Sequence, residues 1–165
     1  MKTIMAILVI HLFLISITQA QNDFNDFYKK YKNTPGIVCD AHPVSTDGIE
    51  NKGNSGDNFW TFYKKFDYTR LIYSETVNPA LLQEMKKNLP GKRYKEVGIV
   101  DGLIQVKFKE TRNTPNELLI ISSKPGSLFV MCITGSFSFS EAKTHLNSIN
   151  SFINSHNIVF AGENE

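Results

Sequence analysis

Few side chains in this sequence could carry chemistry. Of four histidines, His11 sits in an apolar leader, which leaves His42, His145 and His156. None falls in an HExxH or HxH spacing, so a histidine-built zinc site has no ligand set. Asp40 and His42 lie two apart in a strand-like run, and that spacing puts both on one face of a strand. They form the one local acid–base pair. A hydrolase using them is the enzymatic reading, and a solvent-facing strand pair is the plainer one. Cys39 points to the opposite face from Asp40 and gains no base from it. Cys39 and Cys132 are too far apart in sequence for a CxxC redox site or a zinc ribbon. Two readings stand for them: a disulfide, which export would permit, or two small apolar side chains in buried strands. GxSxG, P-loop and GxGxxG motifs are all missing. Paired carboxylates of the glycosidase type depend on the fold, and no pair stands out. The balance points away from an enzyme, and no cofactor or metal is expected.

Binding has better candidates. Asp47, Glu50, Asn51, Asn54 and Asp57 crowd the polar stretch 45–58, but the EF-hand register is absent and a surface loop accounts for them. Phe59, Phe62, Tyr63 and Phe66 recur at helical spacing and predict a buried helix face, whereas Trp60 falls off that stripe and is left as a surface contact. In the run after Asp101-Gly102, Gln105, Lys107 and Lys109 alternate with Ile104, Val106 and Phe108. That alternation predicts one apolar and one wet face. Trp60, Gln105, Lys107 and Lys109 are therefore the candidate contacts for a small ligand or a partner protein.

These residues must be positioned by a domain, and the ends of the chain bound it. Lys2, the apolar run from Ile4 to Ile15 and small residues leading to Ala20 read as a secretory signal, 1–20, with Gln21 first in the mature chain. The run is too short to span a membrane comfortably, so no stable insertion is expected after cleavage. No cysteine follows Ala20, so the expected product is periplasmic or secreted and not a lipoprotein. The remaining stretch, 21–165, is the size of one domain, about 145 residues. The chain carries 18 basic and 16 acidic residues, scattered. That near-balance argues against nucleic acid as partner, which would require a basic stripe.

Coarse elements follow from periodicity and punctuation. Strands are predicted near 37–43, 70–75, 94–100, 103–110, 117–123 and 128–134, and helices near 23–32, 57–66, 79–89 and 139–153. Asn78-Pro79 opens one helix and Ser138-x-x-Glu141 is a capping box for another. Asp101-Gly102 is the strongest hairpin signal. His145 lies at the edge of the last helix's apolar stripe, where an imidazole is more often a packed side chain than a ligand. The predicted fold is α+β: a largely antiparallel sheet with helices packed mainly on one face.

The order of segments also resembles a known family. Phe27-Tyr28-Lys29-Lys30-Tyr31-Lys32 and Pro35-Gly36-Ile37-Val38 come first, then Tyr68-Thr69-Arg70-Leu71-Ile72-Tyr73-Ser74. Tyr94-Lys95-Glu96-Val97 with Asp101-Gly102, Glu117-Leu118-Leu119-Ile120-Ile121 and Ile133-Thr134-Gly135-Ser136-Phe137 complete the pattern. It resembles a family of small exported proteins from Bacteroidota that is classed as a domain of unknown function, over roughly residues 24–153. The resemblance implies an envelope location and an α+β fold. It implies no cofactor and no catalytic residue. Many members look like lipoproteins, and this chain departs from them in lacking the cysteine. The function expected is a non-catalytic binding or interaction domain, with a hydrolase or a purely structural envelope domain as the alternatives.

Overall fold

The computed structural model describes residues 23–45, 59–74, 78–112 and 115–149. The signal segment, the carboxylates of the 45–58 loop, His156 and the tail lie outside the described residues. The elements run α1 (Phe24–Tyr31), β1 (Ile37–Pro43), α2 (Phe59–Tyr63), β2 (Phe66–Ser74), α3 (Pro79–Lys87), β3 (Lys95–Val100), β4 (Ile104–Lys109), β5 (Asn116–Ser122), β6 (Phe129–Gly135) and α4 (Phe139–Thr144). The strands form one six-stranded sheet in the order β1-β2-β6-β5-β4-β3, with every neighbour antiparallel. The α+β class and the single domain are as the sequence predicts.

Each helix with a described cap starts where a side chain can accept its orphan amides. Asp23 Oδ1 accepts from the amide of Asp26 (3.2 Å) at α1. Asn78 Oδ1 accepts from Ala80 and Leu81 (3.1 and 3.3 Å) at α3, with Pro79 next, where a missing N–H costs nothing. At α4 the Glu141 amide donates to Ser138 Oγ and the Ser138 amide to Glu141 Oε2 (3.3 and 2.9 Å), the predicted capping box. Helical bonding resumes past His145, whose carbonyl accepts from Ile149 (2.9 Å). The Asp101-Gly102 turn forms as the dipeptide predicts, with φ positive at both residues and Leu103 N–H donating to Val100 O (3.1 Å).

The helices do not gather on one face, contrary to the expectation from sequence. β5 and β6 are buried on both sides. Phe129, Met131 and Ile133 pack with Leu118, Ile120, Phe108 and the rings of α2 and the α4 segment. Val130 and Cys132 pack with Leu119, Ile121, Phe24, Phe27 and Tyr31 of α1, and Leu82 and Met85 of α3. Among the described residues two helices thus cover each face. A strand whose consecutive side chains are all apolar must be covered on both sides, because each buried Leu, Ile or Phe is worth about 1.5–3 kcal/mol. α1 and α3 are joined to each other as well: Tyr31 Oη donates to Glu84 Oε1 (3.2 Å) and Lys30 pairs with Glu84 (2.9 Å).

α2 is also shorter than predicted. The helix ends at Tyr63 and β2 begins at Phe66, so Phe66 and Tyr68 are strand residues. The change of direction rests on a backbone contact. The amide of Ser136 donates to the carbonyl of Lys65 (2.9 Å), and a Cβ at Gly135 would lie 2.0 Å from that oxygen. Only glycine lets the 64–66 turn close over the end of β6, and from there the chain swings outward into 136–140.

Candidate functional site

The outward swing builds a cleft. From Ser136 to Ser140 serine and phenylalanine alternate, and the alternation sorts them: Phe137 is buried, while Ser136 and Ser138 are exposed. Phe108 meets Phe137 and Phe139 edge-on, with ring centroids 6.1 and 5.8 Å away. Asn116 at the start of β5 fixes the wall. Its Nδ2 donates to Phe137 O (2.7 Å), and its Oδ1 accepts from the Thr111 amide (2.9 Å). The result is an open cleft of about 520 Å³ over the buried rings of Phe108 and Phe137, with the partly exposed Phe139, the hydroxyls of 136–140 and the carboxylates of Glu110 and Glu141 in its lining. That volume suits a small molecule, and a ringed floor with a few polar groups is the usual make-up of a ligand seat.

Its electrostatics leave Glu141 a weak base. Ser138 Oγ donates to Glu141 Oε2 (2.8 Å), a geometry in which a carboxylate could serve as base. Lys65 Nζ, however, holds the other oxygen of Glu141 at 2.5 Å. That contact, with the Ser138 amide and hydroxyl, pulls the Glu141 carboxyl down to about 2. A carboxylate so acidic is a poor acceptor for a serine proton at neutral pH.

A second polar group of side chains lies beneath the start of α1. Glu117 on β5 accepts from Lys109 Nζ (2.9 Å) and, through its other oxygen, from Tyr94 Oη. Cys132 Sγ lies 4.0 Å from that second oxygen, and Asp23 Oδ2 is 3.6 Å from Lys109. The Phe24 amide donates to Tyr94 Oη (3.3 Å). Burial raises the Tyr94 hydroxyl well above its ordinary value; burial first, then the charge of Glu117, does the same to the Cys132 thiol. Both carboxylate oxygens of Glu117 are engaged, so the group pins α1 to the sheet and offers a ligand little.

The residues singled out from sequence fall in separate places. Gln105, Lys107 and Lys109 do share a face, but that face is the one α1 and α3 cover. Gln105 is exposed and Lys107 half-buried, whereas the Lys109 side chain is only 17% exposed and is committed to Glu117 and Asp23. The open wet face is thus not present at Lys109. Alternation alone could not show that Asp23 arrives there from the far end of the chain. Trp60 is half-buried and packs edge-on against Phe59 and Tyr63, both at 5.8 Å, as part of the core's rim. Phe62 stacks on His145 (4.9 Å, 19° between planes), so that imidazole is a packed side chain.

Cys39 and Cys132 are both free. β2 runs between their strands, and the register sets Cys39 beside Ile72 but Cys132 beside Arg70. Two strand spacings already separate them by about 9.5 Å, beyond the roughly 7 Å a disulfide bridges. Asp40 and His42 do meet, with Nδ1 3.2 Å from Oδ2, but their side chains are 58% and 55% exposed and lie outside the cleft. Among the described residues no group of three or more His, Cys, Asp and Glu is placed to hold a metal ion, and no helix is long and apolar enough to cross a membrane. The cleft itself is not legible in the sequence; the alternating Ser-Phe run 136–140, beside a capping box, is its one local signal. Compared with protein-family models and with curated proteins, the chain matches none of either, and the resemblance given above rests on its quoted segments alone.

Proposed function

We propose that this chain is an exported envelope protein of the Bacteroidota type it resembles, acting as a non-catalytic binding domain whose seat is the 136–140 cleft. The observation that carries the reading is the cleft's make-up: the partly exposed Phe139 ring, exposed hydroxyls and a carboxylate held ionised and too acidic to act as a base. Such a lining fits a small polar molecule with one apolar face. The hydrolase alternative has less support, because the Asp40 carboxylate is committed to its neighbours on an exposed strand edge.

The reading is tested by saturation-transfer NMR of the mature chain against monosaccharides, polyols and amino acids, alongside a Ser136→Arg variant that fills the cleft from an exposed position. Binding by the wild type that the variant loses, with an unchanged circular dichroism spectrum, is the expected result. Equal binding by both, or none by either, would sink it. Mass spectrometry of the exported chain should find Gln21 at its N-terminus.

A further inference from the structure

The Asp40–His42 contact has a structural use that the pairing of β1 reveals. Among the described residues β1 is an edge strand, bonded to β2 on one side only. An unpaired edge presents alternate N–H and C=O groups to any other extended chain. The parity of β1 can be read from its bonds. Val44 N–H turns inward to Asp67 O (3.0 Å), while Ala41 N–H bonds a side chain and not β2. The outward positions are therefore Ile37, Cys39, Ala41 and Pro43.

Three of these four have no amide to offer. Ile37 N–H donates to Thr34 O across the turn that enters the strand (3.1 Å). Ala41 N–H donates to Asp40 Oδ1 (2.8 Å). Pro43 has no N–H, and proline is tolerated in a strand where the missing donor would have faced solvent. Among the described residues' hydrogen bonds, Cys39 alone is left to donate. Antiparallel pairing needs donors at successive outward positions, so one amide cannot template a strand. His42 Nδ1 holds the second oxygen of Asp40 at 3.2 Å and so positions the carboxylate over the amide of Ala41. The opposite edge is guarded by different means: β3 has a register shift between Glu96 and Gly98, and Lys95 and Glu96 are exposed.

We propose that β1 is a self-capped edge, in which Asp40, positioned by His42, occupies the Ala41 amide and with Pro43 excludes a second copy of this chain from pairing there. The occupant excluded is a second copy because an antiparallel β1–β1 pair centred on Ala41 is otherwise complementary. It sets position 41 of each copy opposite 41 of the other and 39 opposite 43, so that each outward amide, once freed or restored, meets an outward carbonyl of the other copy.

The test uses the mature chain and two variants. In Asp40→Ala the Ala41 amide should exchange with solvent about fivefold to tenfold faster than in the wild type, the loss expected for one exposed hydrogen bond. In Asp40→Ala/Pro43→Val, sedimentation velocity should show concentration-dependent dimers where the wild type stays monomeric, and the backbone amides at positions 41 and 43 should gain protection as the dimer forms. A folded double variant that remains monomeric at the same concentrations would overturn the proposal. So would unchanged exchange at Ala41 in the single variant, which alters one exposed side chain and should keep the fold.

Discussion

Replacing Glu117 by leucine removes the acceptor on which the group beneath α1 converges. Lys109 then keeps only Asp23, at 3.6 Å, and Tyr94 Oη loses its carboxylate partner. Stranding one member of a buried ion pair costs about 3–5 kcal/mol. Here both side chains retain 17% exposure, so solvent recovers part of that and the lower end applies, about 3 kcal/mol. At roughly 3 °C per kcal/mol for a chain of this size, the melting temperature should fall by about 9 °C. Replacing both partners, Glu117→Leu with Lys109→Met, removes the stranded charge and should return stability to within about 1 kcal/mol of the wild type. Urea unfolding of the wild type, both single variants and the double closes the cycle, with an expected coupling energy of at least about 2 kcal/mol, larger by whatever Lys109→Met alone costs. A Glu117→Leu cost below about 1 kcal/mol, or a double variant as unstable as the single, would refute the reasoning that this group pins α1.

Other outcomes follow from single positions. Ser122 is 2% exposed and its hydroxyl has no hydrogen-bond partner among the described residues, so Ser122→Ala should stabilise the chain by about 1 kcal/mol in urea unfolding. Gly135→Ala sets a methyl against the Lys65 carbonyl, 2.0 Å from it, and should cost more than about 3 kcal/mol or prevent soluble expression. The Glu141 carboxyl is depressed to about 2, chiefly by Lys65, so the stability it adds is complete above its ordinary value and fades as pH falls toward 2. Wild type and Lys65→Met should therefore differ by no more than about 1 kcal/mol at pH 7, since the pair is a third exposed, and by nothing measurable at pH 2.

Local signals in the sequence are reliable guides to local structure. Asp23, Asn78-Pro79, Asp101-Gly102 and Ser138-x-x-Glu141 punctuate the chain where their chemistry predicts. The continuous apolar runs of β5 and β6 correctly mark the centre of the sheet. The same runs, taken seriously on both faces, already call for helices on both sides. What cannot be read is anything made by distant segments. Lys109 looks like a solvent-facing strand residue until Asp23 and Glu117 close on it. Cys39 and Cys132 share a face yet are held apart by β2, which only the strand order reveals. The cleft needs Phe108, Asn116 and the 136–140 segment together, and nothing local ties them.

The position of β6 has a consequence for how the chain acquires its structure. The β1–β2 pair and the β3–β4–β5 meander can each form from neighbouring segments, but among the described residues they share no strand pairing with one another. β6, the last strand among the described residues, bonds β2 on one side and β5 on the other, through pairs as remote as Leu71 with Met131. Joining the two halves therefore waits on nearly the whole chain and on the closure of a long loop, a topology that slows folding. A chain ending before Phe129 would hold two half-sheets with their inner edges open. Until β6 docks, the chain holds two half-sheets with open inner edges rather than one sheet, the kind of exposed edge that invites association.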